Sequence, residues 1–278
     1  MASLRFPFLF SQPQPPKFPR PFTAFAAVAT TAGAAAALVA FSSSDRPLLR
    51  NPLSSFFSLD RSLPLWGSLS MADIGVPVVE SKTGASFPSV LDTSQKLYGI
   101  GLRKKSIFGL KNIDVYAYGV YADDNDIKRY LSEKYGKLSA SQLKGNKELT
   151  EDLMENDISM TIRLQIVYSK LSIRSVRSAF EESVGSRLKK FGGSEDKELL
   201  QRFTSMFKDE FKIPRGSVIH LSREKGHILR TSIDGQEVGS IQSKLLCKSI
   251  LDLYFGEEPF DKQAKEAIEL NVASYLQG

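Results

Sequence analysis

With one cysteine and two histidines in 278 residues, this chain has few of the side chains that metal and nucleophilic chemistry use. Cys247, being alone, can form no disulfide within the chain and cannot build a thiolate metal cluster. His220 and His227 lie seven residues apart around an expected hairpin turn, with no carboxylate-rich partner nearby. They read as surface or strand histidines rather than a metal pair. No nucleophile–histidine–acid set and no phosphate loop can be assembled. The Gly99-Ile100-Gly101 segment lacks the third glycine and following helix of a dinucleotide fingerprint. No catalytic residue, metal or cofactor is therefore expected. Net positive charge is also scarce outside the N-terminal quarter. Residues 1–70 hold six basic and two acidic side chains, so +4 of the formal +6 sits there and the other 208 residues carry only +2. That balance argues against a nucleic-acid surface.

The same first 70 residues contain no acid before Asp45, nine of the 13 prolines, and many Ser and Thr among scattered Arg and Lys. This is the composition of an organellar transit peptide. The prolines break any long amphipathic helix before Pro21, which favours a plastid over a mitochondrial address. Phe22–Phe41 is uncharged and, at 20 residues, long enough to span a bilayer. It is mostly Ala and Thr, however, and offers little apolar area for insertion. It reads as part of a cleaved segment, and no stable membrane span is expected in the mature form. The predicted organisation is a disordered transit peptide and linker over 1–70, followed by one domain over 71–278 in the plastid stroma.

What is present in that domain is regular. The composition, 42% hydrophobic and 24% charged, suits a single sizeable core. A short strand pair is predicted within residues 76–91. Two strands follow, "QKLYGIGLRKKSI" and "NIDVYAYGVYAD", with Gly109 in their turn. A helix runs from the Asp/Asn caps that open "DNDIKRYLSEKYG", at 124–126, to Gly136, and a short helix covers "NKELTEDLMEN". Apolar residues alternate from Ile158 to Ile166, predicting a half-buried strand. Helices are predicted over Ser172–Lys190 and over "SEDKELLQRFTSMFKDEF". A hairpin turning at Glu224–Gly226, the strand "QEVGSI", a helix stopped by Gly256 and a C-terminal helix complete the order. The expected class is α+β, a large, mostly antiparallel sheet with helices on one side.

One stretch carries chemistry. Strand side chains alternate faces, so Gly99, Gly101 and Arg103 share one face of their strand. On the next strand Asp114, Tyr116, Tyr118 and Val120 share a face, and Ile113, Val115 and Ala117 take the other. Paired glycines open a groove where something can approach the backbone. If the two strands form a hairpin, Arg103 and Tyr116 meet, and a guanidinium fork with a phenol hydroxyl makes a carboxylate receptor. The other reading of the same residues is a tyrosine-rich strand beside a solvated "RKK" edge.

From Ser86 to Leu276 the chain resembles the chalcone isomerase superfamily. The matching features are "GIGLR" followed by "VYAYGVYAD"; "RLQIVYS" and "FEESV"; "FKDEFKIPRGSVIHLSREKG"; and "GSIQSKLLCKSILDLYFG". Within the superfamily it is most similar to the plant plastid fatty-acid-binding branch. The resemblance implies an open-faced β-sandwich with a ligand cleft between sheet and helices. It also implies that Arg103 is the arginine that polarises the ligand, and that Tyr116 replaces a threonine of true isomerases. The tyrosine, lysine and asparagine that isomerases carry on the following helix fall here on Ser175, Ser178 and Glu182, or in an ungapped register on Leu171, Arg174 and Ser178. Neither set restores them, so the expectation is binding without catalysis. A medium- to long-chain free fatty acid would put its carboxylate on Arg103 and Tyr116, with Ser183 as a third contact. Pocket length would set chain preference, and the oligomeric state stays open. The alternatives are chalcone-to-flavanone isomerisation and a ligand-free scaffold of flavonoid enzymes.

Overall fold

The computed structural model describes residues 75–92, 94–107, 111–192 and 196–278. The expected transit segment, the uncharged run Phe22–Phe41 and the turn glycine Gly109 lie outside them. Within the described residues the alternating runs form strands and the capped runs form helices. Strands β1 (Val78–Val79) and β2 (Ser86–Phe87) pair with each other. Strands β3 (Val90–Leu91), β4 (Gln95–Ile107), β5 (Lys111–Asp123), β6 (Met160–Ile166), β7 (Val218–Glu224), β8 (Ile228–Ile233) and β9 (Gln236–Gln242) form one sheet in chain order. Every neighbouring pair in it is antiparallel. Helices α1 (Asp124–Tyr135), α2 (Ala140–Leu143) and α3 (Lys147–Glu155) follow β5. Helices α4 (Ile173–Phe191) and α5 (Asp196–Thr204) follow β6, and α6 (Lys244–Phe255) and α7 (Lys262–Gln277) follow β9. This is the expected α+β architecture.

The α1 cap falls on Asp123, one residue before the Asp/Asn run expected to open the helix. The Asp123 carboxylate accepts from the N–H groups of Asn125 and Asp126 to start α1, and Ser243 accepts from Leu246 N–H to start α6. All core residues contributed by helices belong to one cluster, with the face of the sheet that carries Tyr118, Val120 and Ile162. Helix α6 is buried along most of its length, from Leu246 to Phe255 apart from Lys248, which explains why its sequence is mostly apolar. The opposite face of β4 and β5 holds a second, smaller core around Phe87, Leu97 and Tyr121. Residues 78–91 cover it, and the Tyr121 hydroxyl donates to Pro88 O at 2.9 Å.

Two features depart from the sequence expectations. The helix expected to run through Phe211 ends at Thr204. The chain then tightens into turns, with Met206 N–H on Phe203 O and Phe207 N–H on Thr204 O. That tightening sets both Phe203 and Phe207 against Phe180, at 5.4 and 5.1 Å between ring centroids. Arg177 then takes the freed Phe207 carbonyl with Nε and Nη2, at 3.0 and 2.6 Å. The second departure concerns the glycine groove. It is filled from within the protein, because α7 lies against β4 there. A Cβ at Gly99 would meet Ile268 Cγ1 at 2.6 Å, and one at Gly101 would meet Tyr118 Cζ at 2.5 Å and Ala264 Cβ at 2.6 Å. These glycines admit a helix and a tyrosine ring rather than a ligand. Gly101→Val is therefore expected to destabilise the fold by about 1–3 kcal/mol through overpacking. A thermal melt within 1 °C of the parent would contradict that close approach.

Helix α7 is tied to β4 by polar contacts as well. Its N-cap Asp261 accepts from Leu102 N–H at 3.2 Å, and the Asn271 amide donates to Tyr98 O at 2.7 Å.

Candidate ligand-binding site

The β4–β5 ladder places Arg103 directly opposite Tyr116 and Gly101 opposite Tyr118, as the alternation predicts. The alternation then breaks. A register shift between Arg103 and Lys104 leaves Val115 as an extra residue on β5. Its carbonyl accepts from both Val167 N–H and Tyr168 N–H. Val115 was expected on the face away from Tyr116; the bulge instead turns it to the same cleft.

That cleft has a volume of about 490 Å³ and lies between the sheet, α4, α6 and the α6–α7 connection. This is within the ~300–1,000 Å³ typical of small-molecule sites. Leu164, Ile166 and Ile219 form its floor, and Val176, Phe180 and Leu253 come from the helices. The α4 side chains reach it at helical spacing, from Ser175 and Val176 through Ala179 and Ser183 to Arg187. Arg103, Tyr116 and Ser183, the three residues singled out from the sequence, all border it.

The electrostatics of the cleft are asymmetric. Two arginines reach it. Arg187 is ion-paired to Asp252, which is buried, and donates through Nη2 to Glu258 O at 2.8 Å. Its charge is neutralised. Arg103 has no hydrogen-bond or ion-pair partner among the described residues. Its guanidinium stacks on the Phe260 ring, with Cζ 3.7 Å from the centroid. Stacking occupies a face and leaves the in-plane N–H donors uncommitted. The Tyr116 hydroxyl lies 3.4 Å from that of Tyr254. Burial pushes the Tyr116 phenol up to about 12, against the opposing pull of the Tyr254 hydroxyl and the Arg103 charge. It is a neutral donor near pH 7. Tyr118 is core: it is fully buried and set edge-on to Tyr254 at 4.8 Å.

Ser183 faces the cleft, but its hydroxyl hydrogen goes to Ala179 O at 2.7 Å. In this arrangement it offers the cleft an acceptor only. Of the positions aligned with the isomerase helix, Ser175, Glu182 and Leu171 border the cleft. Arg174 turns outward to Asp209 at 2.8 Å. The histidines have separate partners. Arg163 Nη1 donates to His220 Nε2 at 3.0 Å, and burial followed by the Arg163 charge lowers the His220 pKa. His227 occupies the hairpin turn at φ 56°, with Nε2 3.2 Å from Glu155 O. Among the described residues no group of three or more His, Cys, Asp or Glu is placed to hold a metal ion.

Sequence reasoning missed Phe260, Tyr254 and Arg187. Phe260 sits in an irregular connection, where no periodicity marks a side chain as facing a site. Tyr254 lies on a helix buried on nearly all of its faces, so its hydroxyl direction has no sequence signature.

The family described as chalcone isomerase like matches residues 93–269. Fatty-acid-binding protein 1 of Arabidopsis thaliana is 57% identical, over 99% of this chain and 98% of its own length. Chalcone isomerase-like protein 1 of Humulus lupulus is 34% identical, over 70% of this chain and 91% of its own. A crystal structure of an Arabidopsis thaliana fatty-acid-binding protein superposes with a TM-score of 0.70 at 62% identity. It covers 73% of this chain and all of that one. With its antiparallel sheet, one-sided helices and intervening cleft, the chain belongs to the chalcone isomerase-like family.

Proposed function

We infer that this protein binds free fatty acids without transforming them, and does so in the plastid. The observation that carries the reading is the Arg103 guanidinium, unpaired among the described residues, beside the Tyr116 hydroxyl in a cleft that also presents the aliphatic side chains of Leu164, Ile166, Val176, Ile219 and Leu253. A carboxylate would accept from the Arg103 fork and from Tyr116, and Ser183 would contribute only after releasing Ala179. The acyl chain would lie over Leu164, Ile166 and Ile219. Burying about ten methylenes contributes roughly 8 kcal/mol before ordering costs, at ~0.8 kcal/mol each. The head-group bonds add about 1.5–3 kcal/mol and fix orientation. The names of the Arabidopsis relatives support this ligand class. The acid-free, Ser- and Pro-rich N-terminus supports the plastid address. Serine, arginine, leucine or glutamate at the isomerase helix positions supplies no network to orient a reacting oxygen, which supports binding over turnover.

Calorimetric titration with dodecanoate and with methyl dodecanoate tests the reading. The acid is expected to bind at least tenfold more tightly, because the ester keeps the tail and loses the charge. Equal affinities would remove the head-group receptor. Conversion of a chalcone to a flavanone well above the spontaneous rate would replace binding by catalysis.

A further inference from the structure

The geometry points to Phe260 as the residue that sets the specificity of the cleft for a planar carboxylate, by fixing the plane of the Arg103 guanidinium; this inference rests on the fatty-acid reading above. Arg103 is the arginine of the cleft without a carboxylate partner among the described residues, next to the exposed Lys104 and Lys105 at the rim, and what holds it is one aromatic face at 3.7 Å. An arginine side chain has several rotatable bonds, and one with no hydrogen-bond partner samples many orientations. Stacking on a ring removes most of them, and it directs the N–H donors edgewise, where a coplanar carboxylate meets two of them at once.

The ring itself is held fast. Phe260 N–H donates to Leu253 O at 2.8 Å. The next residue, Asp261, takes Leu102 N–H from β4 and the N–H groups of Gln263 and Ala264 at the start of α7. Lys265 closes the connection from the other side by donating to Gly256 O at 2.8 Å. The ring also packs against Tyr254 in a T-shaped pair, with centroids 5.6 Å apart and planes at 82°. The α6–α7 connection is therefore a rigid mount, and Phe260 is its only cleft-lining residue. Leu102, which the mount grips, is the residue before Arg103, so backbone and guanidinium are referenced to the same connection.

A wall residue and a positioning residue differ in what their loss does to two ligands. Phe260→Leu keeps an apolar side chain of similar reach and removes the π face. The full chain and the Phe260→Leu and Phe260→Trp variants are titrated with dodecanoate and methyl dodecanoate, with folding checked by circular dichroism. In Phe260→Leu the dodecanoate affinity is expected to fall about five- to tenfold, the ester affinity to stay within about twofold, and the acid-to-ester ratio to collapse accordingly. Phe260→Trp, which keeps a π face, is expected to retain the ratio. Equal loss of acid and ester in Phe260→Leu, or no loss in either, overturns the inference. If Phe260→Leu fails to fold, the tryptophan variant decides: a collapsed ratio in a folded Phe260→Trp overturns it, and a retained ratio supports it. A parent protein that does not discriminate acid from ester would instead remove the head-group reading on which the inference stands.

Discussion

Replacement of Arg223 by methionine is expected to destabilise the protein by about 3–5 kcal/mol, measured as the change in unfolding free energy in urea. Arg223 lies on β7 opposite Met160, on the helix-covered face, with 1% of its surface exposed. It touches no carboxylate. Its Nε donates to Ile158 O at 2.7 Å, Nη1 to Met154 O at 2.7 Å and Nη2 to Leu153 O at 2.9 Å. Two of these carbonyls belong to the last turn of α3, where a helix leaves its C=O groups without internal partners. The guanidinium closes that end and carries positive charge to the negative pole of the helix. Burial pushes it down to about 10, so it stays charged at neutral pH. Exchanging a buried ion pair for apolar residues is often neutral, because both charges leave together. Here one partner leaves and three buried carbonyls stay behind, each costing about 1–3 kcal/mol if unsatisfied. Methionine matches much of the volume, so packing loss is not the main term. Arg223→Lys, with a charge but a smaller donor set, should fall between. A loss below 1 kcal/mol in Arg223→Met would mean that water or rearranged backbone satisfies the carbonyls.

Arg103→Gln is expected to weaken dodecanoate binding by between ten- and a hundredfold while leaving methyl dodecanoate nearly unaffected. The estimate follows from a charge-assisted contribution of about 1.5–3 kcal/mol, with 1.4 kcal/mol per factor of ten. Glutamine retains length and some donor capacity but no charge. The tail contribution is larger than the head-group contribution and is untouched, so residual binding should persist. Tyr116→Phe should cost less, since one neutral donor is lost from a site that keeps its cation. The folded state gives Arg103 no hydrogen-bond or ion-pair partner among the described residues, only the Phe260 ring, so stability in Arg103→Gln should stay within about 1 kcal/mol of the parent. That separates a binding defect from a folding defect. An unchanged dodecanoate affinity would take Arg103 out of the site.

Much of this was legible from local pattern. Alternation in "YGIGLR" and "VYAYGVY" placed Arg103 against Tyr116 because register and face follow from a period of two. Ser172 marked the start of α4, and the Asp/Asn run from Asp124 came within one residue of the α1 cap, because a side-chain oxygen must satisfy the first N–H groups. What escaped was decided by distant contacts. The Val115 bulge depends on how β5 meets the start of the α4 segment, through one carbonyl accepting two N–H groups. The early end of α5 depends on a three-phenylalanine cluster spanning residues 180–207. The glycine pair was read correctly as a place of close approach, but only the packed structure shows that α7 is what approaches. The proton of Ser183 was assigned to a ligand, whereas its own helix carbonyl lies nearer in sequence and space.

The tether between α7 and β4 has a consequence for life at high concentration. Strand β3 pairs with Gln95 and Lys96, and Leu97 N–H donates to Ser89 O; beyond them no strand among the described residues pairs with the outer side of β4. Such borders recruit strands from neighbouring molecules and seed edge-to-edge aggregation. Here Asn271 occupies the Tyr98 carbonyl and Asp261 the Leu102 N–H, and Lys104 and Lys105 put solvated charge on the stretch that follows. The helix that fills the glycine groove is thus also a guard rail: it occupies backbone groups on this border that a strand from another copy would otherwise pair with.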